Sequence, residues 1–197
     1  MSRISPCMLA STLLLSVSAL CAPDPKLIAA CNACHGDNGV STKQNVPTIA
    51  GISAPVQLAA LQAFKAKARP CTKVASAAGQ DDMCNVASKL SDTDVSALAD
   101  YYSKLAHAGM KQSTDATKVA TGKALAAKNC EGCHSKGGSD PSDDAGVLAG
   151  QPVAWLQSVI AAYKAGQIPQ KEKMMKDKLA RLSDADIDAL AQYYGSL

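Results

Sequence analysis

Apolar residues recur at helical spacing in two segments of the chain, Leu90–Leu105 and Leu182–Leu197, which are identical at ten of sixteen positions. Each segment opens with Ser-Asp, a helix N-cap pattern, and has acidic residues in the first turn, where the helix dipole favours them. The apolar positions that follow lie on one face of a helix. They are Val95, Leu98, Ala99 and Tyr102 in the first segment and Ile187, Leu190, Ala191 and Tyr194 in the second. The pattern predicts two equivalent amphipathic helices.

The repeat extends upstream of these helices. Both halves contain, in the same order, a Cys-x-x-Cys-His motif, an Ala-Gly step and a further predicted helix. In the first half these are Cys31–His35, Ala50-Gly51 and Pro55–Lys67. In the second half they are Cys130–His134, Ala149-Gly150 and Pro152–Lys164. The offset between the halves is 99 residues at the motifs and 92 at the last helices, so the first half has seven extra residues, near Cys71 and Cys84. A repeat of this length indicates a duplicated domain. We predict domains at residues 23–108 and 118–197, joined by a polar linker at 109–117.

The N-terminal residues 1–22 have the pattern of a secretory signal peptide. Arg3 precedes an apolar run from Leu9 to Leu20, which is shorter than the roughly 20 apolar residues needed to cross a bilayer. Cleavage after Ala22 and cleavage after Ala19 both fit, and a retained N-terminal anchor is the alternative. Since no later segment is long and apolar enough to span a membrane, we predict an exported chain in the periplasm, where disulfides persist.

Composition limits the classes of function. The 197-residue chain has 47% hydrophobic and only 4% aromatic residues, so two small domains would have few large side chains for their cores. Its formal net charge of +3 is spread thinly, which argues against a nucleic-acid partner. Eight cysteines against three histidines is the unusual feature. No Ser-His-Asp pattern, paired carboxylates or phosphate-binding glycine loop stands out, so we expect no catalytic residues.

The motif Cys-x-x-Cys-His is typical of covalent haem c attachment, in which two thiols bind the porphyrin edge and the histidine is an axial iron ligand. This predicts one haem at Cys31, Cys34 and His35 and another at Cys130, Cys133 and His134. Zinc binding, a thioredoxin-like redox site and structural disulfides are the alternatives. Zinc sites more often have their four thiolates at closer spacing, and a redox site would need a βαβ pattern that is absent.

A six-coordinate haem needs a second axial ligand, and each half has a methionine at the same register. Met83 lies seven residues before Leu90, and Met175 lies seven residues before Leu182. His/Met ligation raises the reduction potential of a haem. The alternative is that each methionine only fills space in the core. Met174 is a rival for Met175 in the second half.

Three residues remain after this assignment. Cys71 and Cys84 flank the extra segment of the first half, and in an oxidising compartment we expect a disulfide between them; two reduced buried thiols are the alternative. His107 lies after a predicted helix, where we expect a solvated or capping residue.

Together these motifs resemble the di-haem cytochromes c with two fused class I domains, both the cytochrome c4 family and the haem subunits of flavocytochrome c sulfide dehydrogenases. The resemblance covers nearly the whole mature chain. It implies an all-α fold of two tandem cytochrome c domains, each a small helical bundle around a covalent haem, with Met83 and Met175 as iron ligands. It also implies that the Pro47 carbonyl orients His35. Gly146 stands at the equivalent position in the second half, which predicts a difference between the two haems.

The resemblance implies an electron carrier rather than an enzyme, passing single electrons between redox protein partners such as a terminal oxidase or reductase. The alternative is the haem subunit of a sulfide dehydrogenase, which takes electrons from a flavoprotein subunit. Several lysines, among them Lys173 and Lys176, lie near the second methionine and could steer docking to an acidic partner. A solvated surface is the other interpretation of these lysines.

Overall fold

A computed structural model describes residues 22–76, 79–170 and 172–197 of the chain. The predicted signal peptide lies outside this part, apart from its last residue. The α-helices described in the first half are α1 Pro25–His35, α2 Ala54–Lys65, α3 Met83–Ser88 and α4 Asp92–Ser103. Those described in the second half are α5 Ala116–Asn129, α6 Ser135–Gly138, α7 Val153–Lys164, α8 Lys173–Leu179 and α9 Asp184–Gly195. The two predicted amphipathic helices are α4 and α9, and both are confirmed.

The ends of α4 and α9 are fixed by the same local chemistry. Ser91 and Asp94 form a capping box at the start of α4, in which each side chain bonds the other residue's backbone N–H. Ser183 and Asp186 repeat it at the start of α9. The two halves of the chain therefore begin their last helix in the same way, as the repeated Ser-Asp predicts.

Each half has its own apolar core against the inner face of its last helix. In the first half, the buried side chains of α4 contact Leu27, Ile28 and Cys31 of α1. In the second half, Gly122 brings α5 so close to α9 that an added Cβ would overlap the backbone carbonyl of Ala189. In the second half, the helix that precedes the Cys-x-x-Cys-His motif therefore packs closely on the last helix, whereas in the first half α1, which contains the motif, meets the core through these side chains.

The extra residues of the first half form a small cross-linked hairpin. Strands β1 Val74–Ser76 and β2 Gly79–Asp81 pair antiparallel. A disulfide joins Cys71, before the hairpin, to Cys84 in α3, which confirms the predicted bond. The hairpin itself was not predicted from the sequence, because strands of three residues have no readable periodicity.

The predicted linker is bound to the second domain along its length. The Gln112 side chain donates to the carbonyls of Gln151 (2.9 Å) and Gly195 (3.0 Å) and accepts from the N–H of Val153 (3.0 Å). Since that N–H lies in the first turn of α7, where it has no partner within the helix, Gln112 caps α7. The linker thus holds the second domain in a defined position.

His107 lies between the two domains, so the expectation of a solvated or capping residue is wrong. Its Nδ1 is 3.0 Å from the carbonyl oxygen of Ala50, and its Nε2 is 2.8 Å from that of Ala149. The two alanines belong to the equivalent Ala-Gly steps of the two halves. One imidazole ring therefore joins the same point of both domains.

No helix in the described part of the chain is long and apolar enough to cross a bilayer.

Candidate haem sites

The first candidate site, called site 1, consists of Cys31, Cys34 and His35 at the C-terminal end of α1. The helix begins with Asp24 as its N-cap and Pro25 at its first position, and it ends at Gly36. Cys31 and Cys34 are both half-buried, and neither thiol is in a disulfide bond. Residues three apart lie on one face of a helix, so both thiols point the same way. The His35 side chain that follows is buried, with 7% of its surface exposed.

The His35 ring is held in one orientation. Its Nδ1 lies 2.8 Å from the carbonyl oxygen of Pro47, so Nδ1 carries the proton that it donates to that oxygen. Burial lowers the pKa of His35, and the nearby charge of Lys43 lowers it further, while the Pro47 carbonyl acts in the opposite direction. The ring is therefore neutral at neutral pH, and its Nε2 lone pair can bind iron.

The second site, called site 2, differs from the first in its backbone. Helix α5 ends at Asn129, so Cys130, Cys133 and His134 lie in the turn that follows it rather than in the helix. Two bonds keep this turn helix-like, from the N–H of Cys130 to the Ala126 carbonyl (2.8 Å) and from the N–H of His134 to the Cys130 carbonyl (2.9 Å). The thiols of Cys130 and Cys133 are free, and His134 is 8% exposed.

His134 is oriented as His35 is, but by a longer bond. Its Nδ1 lies 3.3 Å from the carbonyl oxygen of Gly146, the residue equivalent to Pro47. A backbone carbonyl does not require proline, so the glycine preserves the contact. Burial lowers the pKa of His134 as well, although the Gly146 carbonyl and the Asp143 carboxylate oppose that effect. The two sites share one chemistry with different bond lengths.

The two candidate methionines lie on short helices of the corresponding segments. Met83 is the first residue of α3, is half-buried, and precedes the disulfide-bonded Cys84. Met175 lies in α8 and packs against the core of the second domain, which Cys130 also contacts. The rival Met174 is 65% exposed. Of the two adjacent methionines, Met175 faces the core.

A tyrosine beside the first cysteine of each motif was missed as a site residue, since the sequence pattern places it only in the core. Burial raises the pKa of the Cys31 thiol, and the neighbouring Tyr102 hydroxyl, which donates to the Asn32 side-chain oxygen at 2.8 Å, opposes that rise. Tyr194 has the same effect on the pKa of Cys130 in the second domain. The repeated Tyr-Tyr pair of the last helices was the available signal. These contacts fix the cysteines relative to α4 and α9.

Comparison with known proteins agrees with this geometry in both halves. Residues 25–106 match the family model described as cytochrome c, and residues 117–193 match the model described as cytochrome c oxidase, cbb3-type, subunit III. Cytochrome c4 of Stutzerimonas stutzeri is 29% identical over 180 residues, which are 86% of this chain and 85% of that protein. The chain therefore consists of two tandem cytochrome c domains and is similar to the di-haem cytochromes of the cytochrome c4 family.

Two further relatives of this di-haem cytochrome extend the comparison. The thiosulfate dehydrogenase electron acceptor of Thiomonas intermedia (strain K12) is 29% identical over 180 residues, 86% of this chain and 79% of that protein. The crystal structure of reduced recombinant cytochrome c4 from Pseudomonas stutzeri superposes with a TM-score of 0.72 at 27% identity, covering 89% of this chain and all of that one. These similarities support a di-haem cytochrome that carries electrons.

The residues present fit two covalent haem c groups, as the family has. Each site offers two unbonded thiols and a neutral imidazole whose Nδ1 is already engaged. A haem c supplies an iron that takes up and releases one electron. The protein residues bind, orient and shield it.

Proposed function

We propose that this cytochrome carries single electrons between redox proteins in the periplasm, through two haem irons that are each held by a histidine and a methionine. The proposal rests mainly on one observation. In both halves a buried histidine donates its Nδ1 proton to a backbone carbonyl, which leaves Nε2 free for iron. His35 with Met83 would hold the first iron, and His134 with Met175 the second. The thioether attachments would be made by Cys31 and Cys34, and by Cys130 and Cys133.

The arrangement of the domains supports transfer between the two haems within one chain. The interface is fixed by bonds from both sides, including the His107 bridge and a bond from the N–H of Trp155 to the Gln44 carbonyl (2.9 Å). A fixed distance between two sites favours rapid transfer without the cost of bringing them together. We place the domains at residues 23–108 and 118–197, with the linker at 109–117.

The ligand assignment is tested by replacing Met175 with leucine, with the neighbouring Met174→Leu as matched control. Met175→Leu should abolish the sulfur-to-iron charge-transfer band of one haem and lower its potential, because the loss of a thioether ligand disfavours the reduced iron. Met174→Leu should leave both unchanged, since that side chain is exposed. Met83→Leu should act in the same way on the other haem. Unchanged spectra in Met83→Leu and Met175→Leu would reject His/Met ligation.

A more specific candidate is the role of electron acceptor for a thiosulfate-oxidising enzyme. It is favoured by the similarity to the Thiomonas protein of that description. Mixing the oxidised cytochrome with a thiosulfate dehydrogenase and thiosulfate should then reduce both haems, and neither component alone should do so.

The remaining alternative is a permanent flavoprotein partner. Gel filtration of the native periplasmic fraction, following haem absorbance and flavin fluorescence together, distinguishes it from a free carrier. We expect the haem to elute without flavin, at the size of one chain or its dimer. Co-elution with flavin in one larger peak would instead identify an enzyme subunit.

A further inference from the structure

A glutamine of the second domain reaches into site 1. Gln151 is completely buried, and its side-chain amide meets the backbone of Thr48 in the first domain. Its Oε1 accepts from the Thr48 N–H at 2.9 Å, and its Nε2 donates to the Thr48 carbonyl at 2.9 Å. The same Nε2 is 3.4 Å from the carbonyl oxygen of Val147. A buried amide with these partners has most of its hydrogen-bonding capacity satisfied.

The Thr48 N–H belongs to the same peptide group as the Pro47 carbonyl. The six atoms of a peptide group are planar and conjugated, so the hydrogen bond at N–H and the one at C=O act on a single electronic unit. The Pro47 carbonyl accepts the Nδ1 proton of His35 at 2.8 Å. A continuous chain of hydrogen bonds therefore runs from Gln151 through this peptide to His35.

Such a chain changes the donor strength of the histidine. Hydrogen bonds in series polarise one another, by about 10–30% per bond. The bond from Thr48 to Gln151 makes the Pro47 carbonyl a stronger acceptor, which draws the Nδ1 proton away from the ring and makes Nε2 more basic. A more basic histidine stabilises oxidised iron more than reduced iron.

Among the described residues, site 2 shows no matching relay. The Gly146 carbonyl shares its peptide with the Val147 N–H, and the 99-residue offset puts Ile52 at the position equivalent to Gln151. A hydrocarbon side chain cannot bond that N–H. The His134 bond to Gly146 is also longer, at 3.3 Å. The two sites therefore differ at the peptide group whose carbonyl accepts the proton of the histidine Nδ1.

We propose that Gln151 is a positioning residue for site 1, through which the second domain strengthens His35 as a ligand and lowers the potential of the first haem relative to the second. The inference rests on the proposed histidine ligation. It also makes site 1 dependent on domain contact, because Gln151 and His35 belong to different domains.

The test is Gln151→Met in the holoprotein, which keeps the approximate volume and removes the amide. The matched control is Gln57→Met. Gln57 is a buried glutamine of the first domain whose Nε2 donates to the Ile52 carbonyl at 2.7 Å, away from the Pro47 peptide. Both haem potentials are measured by spectroelectrochemical titration, and the haem that shifts is assigned from its proton NMR signals.

We expect the potential of the first haem to rise in Gln151→Met, with the second haem unchanged and neither haem shifted in Gln57→Met. Equal shifts of both haems, a matching shift in Gln57→Met, or no shift would overturn the inference.

Gln151→Glu gives a second test that survives if Gln151→Met does not fold. Buried against the Thr48 and Val147 carbonyls, its carboxyl group would be protonated, so it keeps an acceptor for the Thr48 N–H and a donor for the Thr48 carbonyl. The first haem's potential should therefore stay near the wild-type value where the Met variant raises it. A purely structural role would shift both variants in the same direction, which would refute the proposal. Spectra of the wild-type protein test the ligand assignment separately. If they show two His/Met haems but the Gln151 variants shift neither haem potential, the inference about Gln151 is rejected and the proposed ligation is not.

Discussion

Gly109 of the linker and Gly150 of the second domain are in backbone contact: a Cβ atom placed on Gly109 would lie 2.9 Å from the Cα of Gly150. Real Cβ atoms do not approach other atoms so closely. Gly150 also has a φ of +69°, which side chains other than glycine rarely adopt. Its carbonyl accepts from the Met110 N–H at 2.8 Å. The contact lies next to Ala149, whose carbonyl oxygen contacts His107. The two glycines therefore allow the linker backbone to pack closely against the second domain at the domain interface.

Gly150→Ala should therefore destabilise the protein by more than its backbone conformation alone explains. The control is Gly166→Ala, which has a similar φ of +71° but no heavy atom within 4 Å of the added Cβ. Both variants should lose roughly 1–2 kcal/mol of unfolding free energy, because alanine disfavours the left-handed backbone conformation. Gly150→Ala should lose about 1–3 kcal/mol more from the overlap with Gly109. Denaturant unfolding measures both, and equal losses would contradict the importance of this contact.

The sequence predicted the elements of each domain better than their association. Helices α4 and α9 are evident because apolar spacing and Ser-Asp caps are local signals. The Cys71–Cys84 bond was predicted from the position of the two cysteines left over after the motifs, in a chain predicted to be exported. In contrast, His107 bonds the carbonyls of Ala50 and Ala149, and a backbone carbonyl is present at every residue. No side-chain pattern marks which carbonyls will converge, so the interface could not be predicted.

The same reasoning applies to the candidate sites. The Cys-x-x-Cys-His motifs are contiguous, so their residues are found by reading along the chain. Gln151 acts on Thr48 across 103 positions, and only the folded arrangement brings them together. The choice between Met174 and Met175 as the candidate iron ligand likewise depends on which side of α8 faces the core. Both methionines fit the register of the repeat to within one residue, so the sequence alone does not separate them.

Removing the Cys71–Cys84 disulfide should weaken the first domain selectively. The bond closes a loop with a sequence separation of 13 and holds Cys84, the residue after Met83. The loop-entropy model gives about 3 kcal/mol for a loop near this size. In Cys71→Ser with Cys84→Ala, the first haem should lose its methionine band at lower denaturant concentration than the second. The second domain has no disulfide among its described residues and is the internal control. Simultaneous loss from both haems would argue against a local effect.

Acid should weaken the protein partly through its two capping boxes. Hydrogen bonds from Ser91 to Asp94, and from Ser183 to Asp186, lower the pKa of each carboxyl. Since the folded pKa lies below the unfolded value of about 3.9, the ionised carboxylates stabilise the fold above that pH. Their contribution is lost as the pH falls through the folded pKa values.

The measurement compares wild type with Asp94→Asn/Asp186→Asn across the acid range. The variant should be less stable at pH 7, and the difference in unfolding free energy should shrink as the pH falls below about 4. Ser91→Ala/Ser183→Ala should move the acid transition of Asp94 and Asp186 to higher pH, because the serine hydroxyl bonds that help to lower their pKa are gone, while the backbone N–H bonds remain. A difference between wild type and the Asn variant that stays constant with pH would show that ionisation is not involved.

Charge reversal on α8 should slow electron transfer to an acidic partner. Lys173 and Lys176 are exposed on the helix that carries Met175, and Lys173 forms an ion pair with Asp177. A positive patch beside the proposed haem ligand Met175 would attract an acidic protein to the place where the transfer distance is shortest. Lys176→Glu should reduce the second-order rate several-fold at low ionic strength. The reduction should disappear near 1 M salt, where the Debye length falls to about 3 Å.

Lys104→Glu is the matched control for this charge change. Lys104 is 62% exposed and pairs with Asp100 at the end of α4, in the first domain. The substitution alters the net charge by the same amount, so it separates the patch on α8 from the overall charge of the protein. Stopped-flow mixing with an acidic iron–sulfur protein, followed by haem absorbance, gives both rates. If Lys104→Glu slows transfer as much as Lys176→Glu, the attraction arises from net charge, and α8 is not the docking surface.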